Sequence, residues 1–396
     1  MRNRAPLDAI PERTLLGPGP SDIHPLVRQA LAAPLVGHLD PAFIKVMEYN
    51  KAALKRLFRT ANDLTFPISG TGSAGMEAAL CNVLEPGDTA VVCINGVFGT
   101  RIADIVGRIG ANLVTVEAEW GTAFDPELIE TAVRNNAPVK VVAIVHAETS
   151  TGVLQPLEDI AEIATKHNAL LLVDAVTSLG GVPVETDLWG LDIVYSGTQK
   201  CLSCPPGLAP ITFSERAVEA IKNRSTPVQS WYLDTTMLTR YWGEERVYHH
   251  TAPVSMNYAL AAALEVIESE GIETRWQRHM TNHRALVAGI EAMGLEMAVE
   301  PDIRAPMLNA VRVPDGIDEK RVRSTMLNRM NVEIGAGLGP LAGKVWRIGL
   351  MGHSCQPEKV LLCLDALRWA LSEQNDHRPD GTEEAVKTLT ASTGVE

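Results

Sequence analysis

Three groups that can do chemistry lie at the ends of predicted strands between residues 69 and 200. A Gly-Thr-Gly-Ser-Ala-Gly segment occupies residues 70–75, Asp174 lies near the end of an apolar run, and Lys200 ends a run that begins at Asp192. Amides at the start of a helix bind phosphate, and a lysine amine forms imines when burial or a nearby cation lowers its pKa. Together these groups predict a site for an aromatic aldehyde that carries a phosphate.

The glycine-rich segment matches the Gly-x-Gly-x-x-Gly pattern of dinucleotide-binding folds. That fold also needs an acidic residue about twenty positions later, at the end of the next strand, to bind a ribose hydroxyl. The next predicted strand ends at Asn95, and no carboxylate stands there. A phosphate cup built from helix amides and the Thr71 and Ser73 hydroxyls remains, with a purely structural turn as the alternative.

Asp174 and Lys200 each have a structural alternative when considered alone. A carboxylate at the end of an apolar strand is costly to desolvate unless a cation or several donors contact it. Asp174 would keep a pyridine nitrogen protonated, so that the ring accepts electrons, or it would cap a strand-to-loop turn. A lysine at a strand end is usually a solvated charge, but Lys200 follows the glycine-rich segment and the acid and precedes a Pro-Pro-Gly turn at 205–207.

The composition limits the class of protein. The chain has 396 residues and a formal net charge of −13, which argues against a nucleic-acid protein or a binder of anionic membranes. It has no long apolar run and no apolar segment near the N-terminus, so we expect neither a transmembrane span nor a secretory signal. Six scattered cysteines suit a reducing compartment, and nothing completes a metal site around Cys201 and Cys204. We therefore expect a cytoplasmic enzyme without a metal.

Short apolar runs alternate with amphipathic stretches from about residue 64 to residue 210. This alternation predicts an α/β fold with a large, doubly wound and mainly parallel sheet, in which ligands bind beyond the carboxyl ends of the strands. A predicted helix at 258–270 ends at Gly271, whose freedom to adopt a positive φ suits a helix end. We expect the following division: 1–14 an N-terminal arm, 15–270 a large domain, 271–376 a smaller C-terminal α/β domain, and 377–396 a polar, flexible tail.

The segment Leu-Asp-Ile-Val-Tyr-Ser-Gly-Thr-Gln-Lys at 191–200, with Gly-Leu-Ala at 207–209, resembles the lysine signature of the class V pyridoxal-phosphate (PLP) dependent aminotransferases. Within that class the chain is similar to the alanine–glyoxylate and serine–glyoxylate (serine–pyruvate) aminotransferases. The resemblance implies an aspartate-aminotransferase-like fold of type I and PLP held by Lys200. It covers nearly all of residues 14–375 through motifs in the same order, which are Leu15-Leu-Gly-Pro-Gly-Pro20, Leu84-Glu-Pro-Gly-Asp88, Thr149-Ser-Thr-Gly-Val-Leu-Gln-Pro156, Tyr248-His-His-Thr-Ala-Pro253, Gly337-Leu-Gly-Pro and Arg347-Ile-Gly-Leu.

The resemblance also implies roles for single residues. Asp174 and Lys200 would be catalytic, with Asp174 paired to the ring nitrogen N1. Arg347 would bind the substrate α-carboxylate through two parallel hydrogen bonds, which lysine cannot form, and Gly19 would join it. The implied cofactor-binding residues are Thr71, Gly72, Ser73, Phe98, Thr149, Asp174, Val176, Gln199 and Lys200, together with Tyr248 and Thr251 from the neighbouring subunit of a homodimer. His38 is a further candidate for the substrate pocket.

Two positions depart from the family pattern. Family members often stack a tryptophan on the pyridine ring in an Asn-Gly-x-Trp-Gly setting, where this chain has Phe98. Some relatives carry a histidine after the glycine of the phosphate cup, where this chain has Ser73. Phe98 would overlap less with the ring. Neither change removes a catalytic group, although both can alter the substrate preference.

We expect transamination between a small amino acid (alanine or serine) and glyoxylate or pyruvate, with ping-pong kinetics through pyridoxamine phosphate. One alternative is an aminotransferase for aspartate, ureidoglycine, pyridoxamine or hydroxykynurenine, and another is a PLP lyase or cysteine desulfurase. Desulfurases generally have a histidine before the lysine and a loop cysteine before the arginine, whereas Gln199 precedes Lys200 and no cysteine lies between Cys204 and Arg347. A nucleotide-dependent oxidoreductase and a non-catalytic dimeric binding protein are the remaining alternatives.

Overall fold

The computed structural model describes residues 6–393, so the first five residues of the expected arm and the last three of the tail lie outside it. The strands, in chain order, are β1 (Thr14–Leu15), β2 (Leu64–Ser69), β3 (Thr89–Ile94), β4 (Asn112–Glu117), β5 (Val141–Val145), β6 (Ala147–Glu148), β7 (Val153–Leu154), β8 (Leu170–Asp174), β9 (Ile193–Tyr195), β10 (Leu208–Phe213), β11 (Leu308–Arg312), β12 (Val332–Glu333), β13 (Gly335–Ala336) and β14 (Val345–Gly349).

The helices alternate with the strands in the first two thirds of the chain and dominate the last third. They are α1 (Pro25–Leu31), α2 (Pro41–Phe58), α3 (Gly72–Val83), α4 (Val97–Ile109), α5 (Pro126–Asn135), α6 (Glu158–Lys166), α7 (Thr186–Trp189), α8 (Glu215–Lys222), α9 (Thr235–Trp242), α10 (Val254–Glu270), α11 (Ile272–Ala292), α12 (Glu319–Met330), α13 (Pro357–Ser372) and α14 (Thr382–Thr393). Within residues 6–393 we find no helix whose length and apolar character would let it cross a membrane.

Seven strands form one sheet in the order β2-β10-β9-β8-β5-β3-β4. The strands from β9 to β4 run parallel, and β10 is antiparallel to both of its neighbours. Strands β5 and β8 are buried along their whole length, which accounts for their unbroken aliphatic sequences. The predicted α/β fold with a large, mainly parallel sheet is therefore confirmed.

Successive residues of each central strand pack against opposite layers of helices. In β8, Leu170 and Leu172 belong to one hydrophobic cluster with residues of α3 and α4, whereas Leu171 and Val173 belong to another with residues of α6 and α10. This alternation follows from the period of two in a strand. Because helices cover both faces, the carboxyl ends of the strands are the edge at which polar side chains collect.

Strand β4 was missing from the sequence-based prediction. It pairs with β3 alone among the described strands, so it lies at the edge of the sheet. Most of its residues are exposed or half-buried, and Val116 is the buried one. An edge strand therefore lacks the continuous apolar run by which the central strands were recognised.

A second sheet in the order β11-β14-β13 is antiparallel. A separate hydrophobic cluster covers it, with residues of α11, α12 and α13. Leu16, from the beginning of the chain, is fully buried in this cluster, and the neighbouring β1 pairs with β12. The small domain is thus completed by residues that precede the large sheet. Gly271 separates α10 from α11 with a φ of +82°.

The structure differs from the flexible tail expected at 377–396. Residues 382–393 form α14, which packs against α11. Ala385 is fully buried, and Leu389, one turn further on, packs against the same cluster. The two helices approach closely at Gly381, where a Cβ would lie 2.2 Å from the carbonyl oxygen of Gly289. Only a few apolar residues of α14 pack against the cluster. The composition of the segment is therefore mostly polar, and polar composition favours the prediction of a flexible tail.

Candidate active site

The fold brings Lys200 and Asp174 together with Arg347. Asp174 is the last residue of β8, Lys200 follows β9, the strand next to β8, and Arg347 lies in the middle of β14. All three side chains are buried, and the charges of Arg347 and Asp174 both act on Lys200. The cleft between the two sheets therefore contains the amine, the acid and the guanidinium that the sequence proposed.

The Lys200 side chain is enclosed by the segment before α1. Its amine donates a hydrogen bond to the carbonyl oxygen of Pro18. A Cβ at Gly19, whose φ is +109°, would lie 2.7 Å from Nζ, so only glycine leaves room for the amine. Burial, assisted by the charge of Arg347, lowers the pKa of Lys200 to about 8. An appreciable fraction of such an amine is unprotonated near neutral pH and can attack a carbonyl carbon.

The peptide around Lys200 is held from two sides. Ser21 Oγ donates to the carbonyl oxygen of Lys200 at 2.8 Å, and on the other side Arg275 donates to the carbonyl oxygen of Cys201 at 2.6 Å. Cys201 and Cys204 are both buried and free, and Cys201 Sγ donates to the carbonyl oxygen of Thr177 at 3.3 Å. The cysteine pair therefore packs behind the lysine, which agrees with its structural interpretation.

Both oxygens of Asp174 accept hydrogen bonds. Oδ1 accepts from the amide of Val176 at 2.9 Å, and Oδ2 accepts from the hydroxyl of Tyr195 at 2.7 Å. Burial raises the pKa of Asp174 to about 6, although these two bonds oppose the rise. Each carboxylate oxygen has a further lone pair, so the group can accept one more donor such as a pyridinium N–H.

Tyr195 was missed by the sequence analysis. The register of the parallel pair β8–β9 sets it directly beside Asp174, and the side chain is fully buried. Tyrosine in a buried strand usually indicates packing, and only the register of the two strands reveals that its hydroxyl reaches the acid. The position of Tyr195 in the lysine motif was the one available signal.

The glycine-rich segment forms the start of α3. Its N-cap, Thr71, makes no side-chain capping bond within the described residues, so the first amides of the helix remain free for an anion. Gly72 lies against Val176: a Cβ there would be 3.3 Å from Val176 Cγ2. Gly75 instead allows α3 to approach the sheet, since a Cβ would be 2.9 Å from that of Ala209. Ser73 is exposed at the same end of the helix.

Gln199, next to Lys200, has a buried side-chain oxygen without a partner in the described part of the chain. Its Oε1 atom is buried and has no hydrogen-bond partner among residues 6–393. A Cβ at Gly197 would lie 2.8 Å from the same atom, so the amide sits against the glycine that faces Gly72. Buried polar groups are normally paired. Oε1 is an acceptor, as a phosphate oxygen is, so Gln199 would contact a phosphate only with the amide turned to present Nε2, which is a donor.

Arg347 is fixed by two backbone carbonyl groups. Nε donates to Ala336 at 2.6 Å, and Nη1 donates to Thr149 at 2.9 Å. These bonds leave the Nη2 hydrogens and one Nη1 hydrogen for a carboxylate. Burial lowers the pKa of Arg347 to about 10, so the group stays charged at neutral pH. The hydroxyl of Thr149 lies 3.3 Å from that of Thr177.

Three residues that were expected at the cofactor or substrate site lie at the surface of the chain. Tyr248 is 59% exposed and Thr251 is exposed as well. His38 lies beside Tyr248, with 5.3 Å between the ring centroids. The same surface contains Trp231, which is 61% exposed and stacks on His249 at 4.4 Å. In a single chain the structure thus groups His38 with Tyr248.

The match to known proteins agrees with this geometry. The model of the family described as aminotransferase class V matches residues 28–357. The chain belongs to the class V aminotransferases. It is therefore an aminotransferase of fold type I whose cofactor is PLP, as the resemblance implied. The free amides at the start of α3 and the enclosed amine of Lys200 fit this cofactor.

Three relatives show how far the similarity extends. The (S)-ureidoglycine–glyoxylate transaminase of Bacillus subtilis is 42% identical over 383 residues, 92% of each chain. The alanine–glyoxylate aminotransferase of Callithrix jacchus is 41% identical over 367 residues, which are 92% of this chain and 88% of the relative. The structure of an alanine–glyoxylate aminotransferase from Nostoc sp. matches with a TM-score of 0.91 at 47% identity, covering 94% of this chain and 97% of that chain.

The buried amine gives a prediction for the PLP-free protein. Since the folded pKa of Lys200, about 8, is below its usual 10.5, the unfolded chain binds more protons between these values, and stability should rise with pH there. Lys200→Met should lack this rise and should be more stable than the wild type at pH 7, by up to about 3 kcal/mol. Urea unfolding between pH 6 and 10.5 measures both effects. Parallel stability curves for the two proteins would contradict the proposed burial of charge.

The Tyr195–Asp174 bond gives a second prediction. Without the hydroxyl donor, the pKa of Asp174 should rise further above about 6. Tyr195→Phe should therefore bind PLP several-fold more weakly than the wild type at pH 6.5, and the difference should shrink at pH 8, where Asp174 is ionised in both proteins. Equilibrium titrations of the PLP-free proteins at both pH values measure it. An equal loss of affinity at both would mean that the tyrosine acts through packing alone.

Proposed function

We propose that the chain transfers the amino group of a small amino acid, alanine or serine, to glyoxylate or pyruvate. The observation that carries the proposal is the meeting of three buried groups in one cleft: the amine of Lys200, the acid Asp174 and the carboxylate-binding Arg347. The similarity to alanine–glyoxylate aminotransferases supports glyoxylate as the acceptor.

Each of these groups has a defined task in the reaction. PLP supplies an electron-accepting ring on which the amino group is carried. Arg347 binds the α-carboxylate of the substrate through Nη1 and Nη2. Lys200 Nζ would take the proton from the α-carbon of the substrate and would deliver it to the C4′ carbon of PLP. Asp174 keeps the ring nitrogen protonated.

The remaining residues position the cofactor. The amides of α3 with the Thr71 and Ser73 hydroxyls would hold the phosphate, and the Nε2 end of Gln199 would donate to it. Phe98 and Val176 would pack against the ring, and Thr149 would approach its phenolic oxygen. Gly19 keeps space for the Lys200 amine, and we propose that the substrate binds next to it.

Ureidoglycine is the second candidate donor. The specific observation in its favour is the 42% identity to the Bacillus subtilis ureidoglycine–glyoxylate transaminase. Both candidate activities share glyoxylate, so only the donor distinguishes them. Differences of one polar group in a pocket change selectivity by modest factors unless a buried hydrogen bond is lost.

A grid of donors and acceptors tests the proposed reaction. Each amino acid alone should convert the visible absorbance of the enzyme to that of the pyridoxamine form, and alanine or serine should do so faster than aspartate. Full turnover should show the parallel lines of ping-pong kinetics. Lys200→Ala should have no turnover and no visible band. A sequential kinetic pattern, or steady turnover by Lys200→Ala, would refute the mechanism.

We propose further that the enzyme is a homodimer whose sites are shared. Tyr248 and Thr251 would reach the phosphate of the neighbouring subunit, and His38, beside Tyr248, would line that subunit's substrate pocket. Support comes from the exposed aromatic surface, which includes Trp231, Tyr232 and Tyr248. Large exposed apolar surfaces usually mark an interface, and a second copy of the chain is the partner that the shared phosphate site requires.

Mixing two inactive variants tests the shared site. Lys200→Ala lacks the amine, and the double variant Tyr248→Phe, Thr251→Val lacks the groups given to the neighbour. In a mixed dimer one site has all native groups, so unfolding and refolding an equal mixture should restore about a quarter of the wild-type activity. The control mixture of Lys200→Ala with Arg347→Ala should stay inactive, because both residues act in one chain. Equal results for the two mixtures would contradict shared sites.

We also propose a cytoplasmic location. All six cysteines are buried and free, and burial raises the pKa of the Cys201 thiol to about 12. Unpaired cysteines agree with a reducing compartment, in which such thiols persist.

A further inference from the structure

The carboxylate of Glu148 lies within the site and has no role in the reaction described so far. The side chain is 1% exposed and follows β5 in the short strand β6. Oε1 accepts hydrogen bonds from the amide and the hydroxyl of Ser150 at 3.0 and 2.6 Å, and Oε2 accepts from the amide of Phe98 at 3.1 Å. A buried carboxylate with three donors is held in one orientation.

Glu148 and Ser150 together cap α4, the helix that carries Phe98. The N-cap of α4 is Gly96, which has no side chain to offer, and Ser150 Oγ accepts from the amide of Val97 at 3.0 Å instead. A Cβ at Gly96 would lie 2.3 Å from both Cγ and Cδ of Glu148. The glycine therefore opens the space through which the carboxylate reaches the helix, and the position of Phe98 depends on it.

The same turn also holds Arg347. Thr149, between Glu148 and Ser150, accepts the Nη1 hydrogen bond of the guanidinium at 2.9 Å. Burial lowers the pKa of Arg347, and the negative charge of Glu148 opposes this change. The short segment from Glu148 to Ser150 thus contacts both Phe98 and Arg347.

The charge of Glu148 acts on four other titratable groups. They are Arg347 from β14, Lys200 from the loop after β9, Asp174 from the end of β8, and Tyr195 from β9. Burial raises the pKa of the Glu148 carboxyl, and the bonds from Ser150, Phe98 and Gly99 oppose the rise. Two cations and two carboxyl groups therefore share one cleft.

We propose that Glu148 is a positioning residue of the transamination site, which orients Phe98 against the cofactor ring and balances the charge of Arg347 and Lys200. The inference rests on the proposed role of Arg347 as the carboxylate-binding group. In a ping-pong reaction two different acids bind at Arg347 and leave it in turn. A fixed negative charge beside the guanidinium weakens both complexes, so that the product acid departs readily.

A matched pair of variants separates the effect of the negative charge of Glu148 from the effect of its hydrogen bond with the Phe98 amide. Glu148→Gln removes the charge and keeps the length of the side chain, but its single oxygen can accept from the Phe98 amide or from Ser150, not from both. Glu148→Asp keeps the charge but is one methylene shorter, so that it no longer reaches that amide. Either variant by itself tests one half of the proposal, which therefore stays falsifiable if the other does not fold.

Two readouts of the PLP-loaded enzyme respond to the charge. The first is the pH midpoint of the visible absorbance, which reports protonation at the Lys200 nitrogen. The second is the dissociation constant of propionate, a carboxylate without an amino group to transfer. Glu148→Gln should lower the midpoint by about half a pH unit or more and should bind propionate about threefold more tightly or better.

Glu148→Asp should keep both values near those of the wild type while kcat falls at least several-fold, because Phe98 is no longer fixed. A purely structural role would affect the two variants alike and would weaken propionate binding. Unchanged midpoint and propionate affinity in Glu148→Gln, or unchanged kcat in Glu148→Asp, would overturn the proposal.

The variant Arg347→Lys distinguishes a failure of the proposal for Glu148 from a failure of the proposed function. If Arg347→Lys binds propionate as the wild type does, the role of Arg347 is wrong. The pH midpoint of Glu148→Gln then still reports whether the charge of Glu148 acts on Lys200.

Discussion

The burial of the Lys200 amine is the constraint on which the rest of the site depends. In water a lysine amine stays protonated at neutral pH and cannot attack a carbonyl group. Here the loss of hydration brings its pKa to about 8, but an enclosed amine also needs a partner and room. The carbonyl group of Pro18 accepts a hydrogen bond from the amine, and the absence of a side chain at Gly19 leaves space for it.

The other buried ionisable groups of the site also need hydrogen-bond partners. The carboxylates accept hydrogen bonds, Asp174 from Tyr195 and Glu148 from Ser150. Arg347 donates hydrogen bonds to two backbone carbonyl groups. A charge buried without such partners would be costly, and its pKa would shift until it lost the charge. The hydrogen bonds around these groups therefore help to decide which of them remain charged.

Two separate sheets supply these groups. The large sheet places Asp174 and Lys200 after neighbouring parallel strands, while the small antiparallel sheet supplies Arg347. The segment 148–152 contacts the small sheet at Arg347, and at Phe98 it contacts α4, the helix that packs on strand β3 of the large sheet. The small sheet in turn depends on Leu16 and Ala385, near opposite ends of the chain, for its core. The geometry of the cleft thus requires nearly the whole chain.

The sequence by itself determined the class of fold and the family, and it proposed the residues of the site. Buried parallel strands have continuous apolar sequences, and Lys200, Asp174 and the glycine-rich segment follow them at recognisable positions. Tertiary structure alone decided the rest. A strand register brings Tyr195 to Asp174, and a turn brings Glu148 to Phe98, although these residues are distant in sequence. Strand β4 is an edge strand without an apolar run, and α14 docks through only a few apolar contacts. Local patterns record the period of a helix or a strand, whereas these features depend on which surfaces meet after folding.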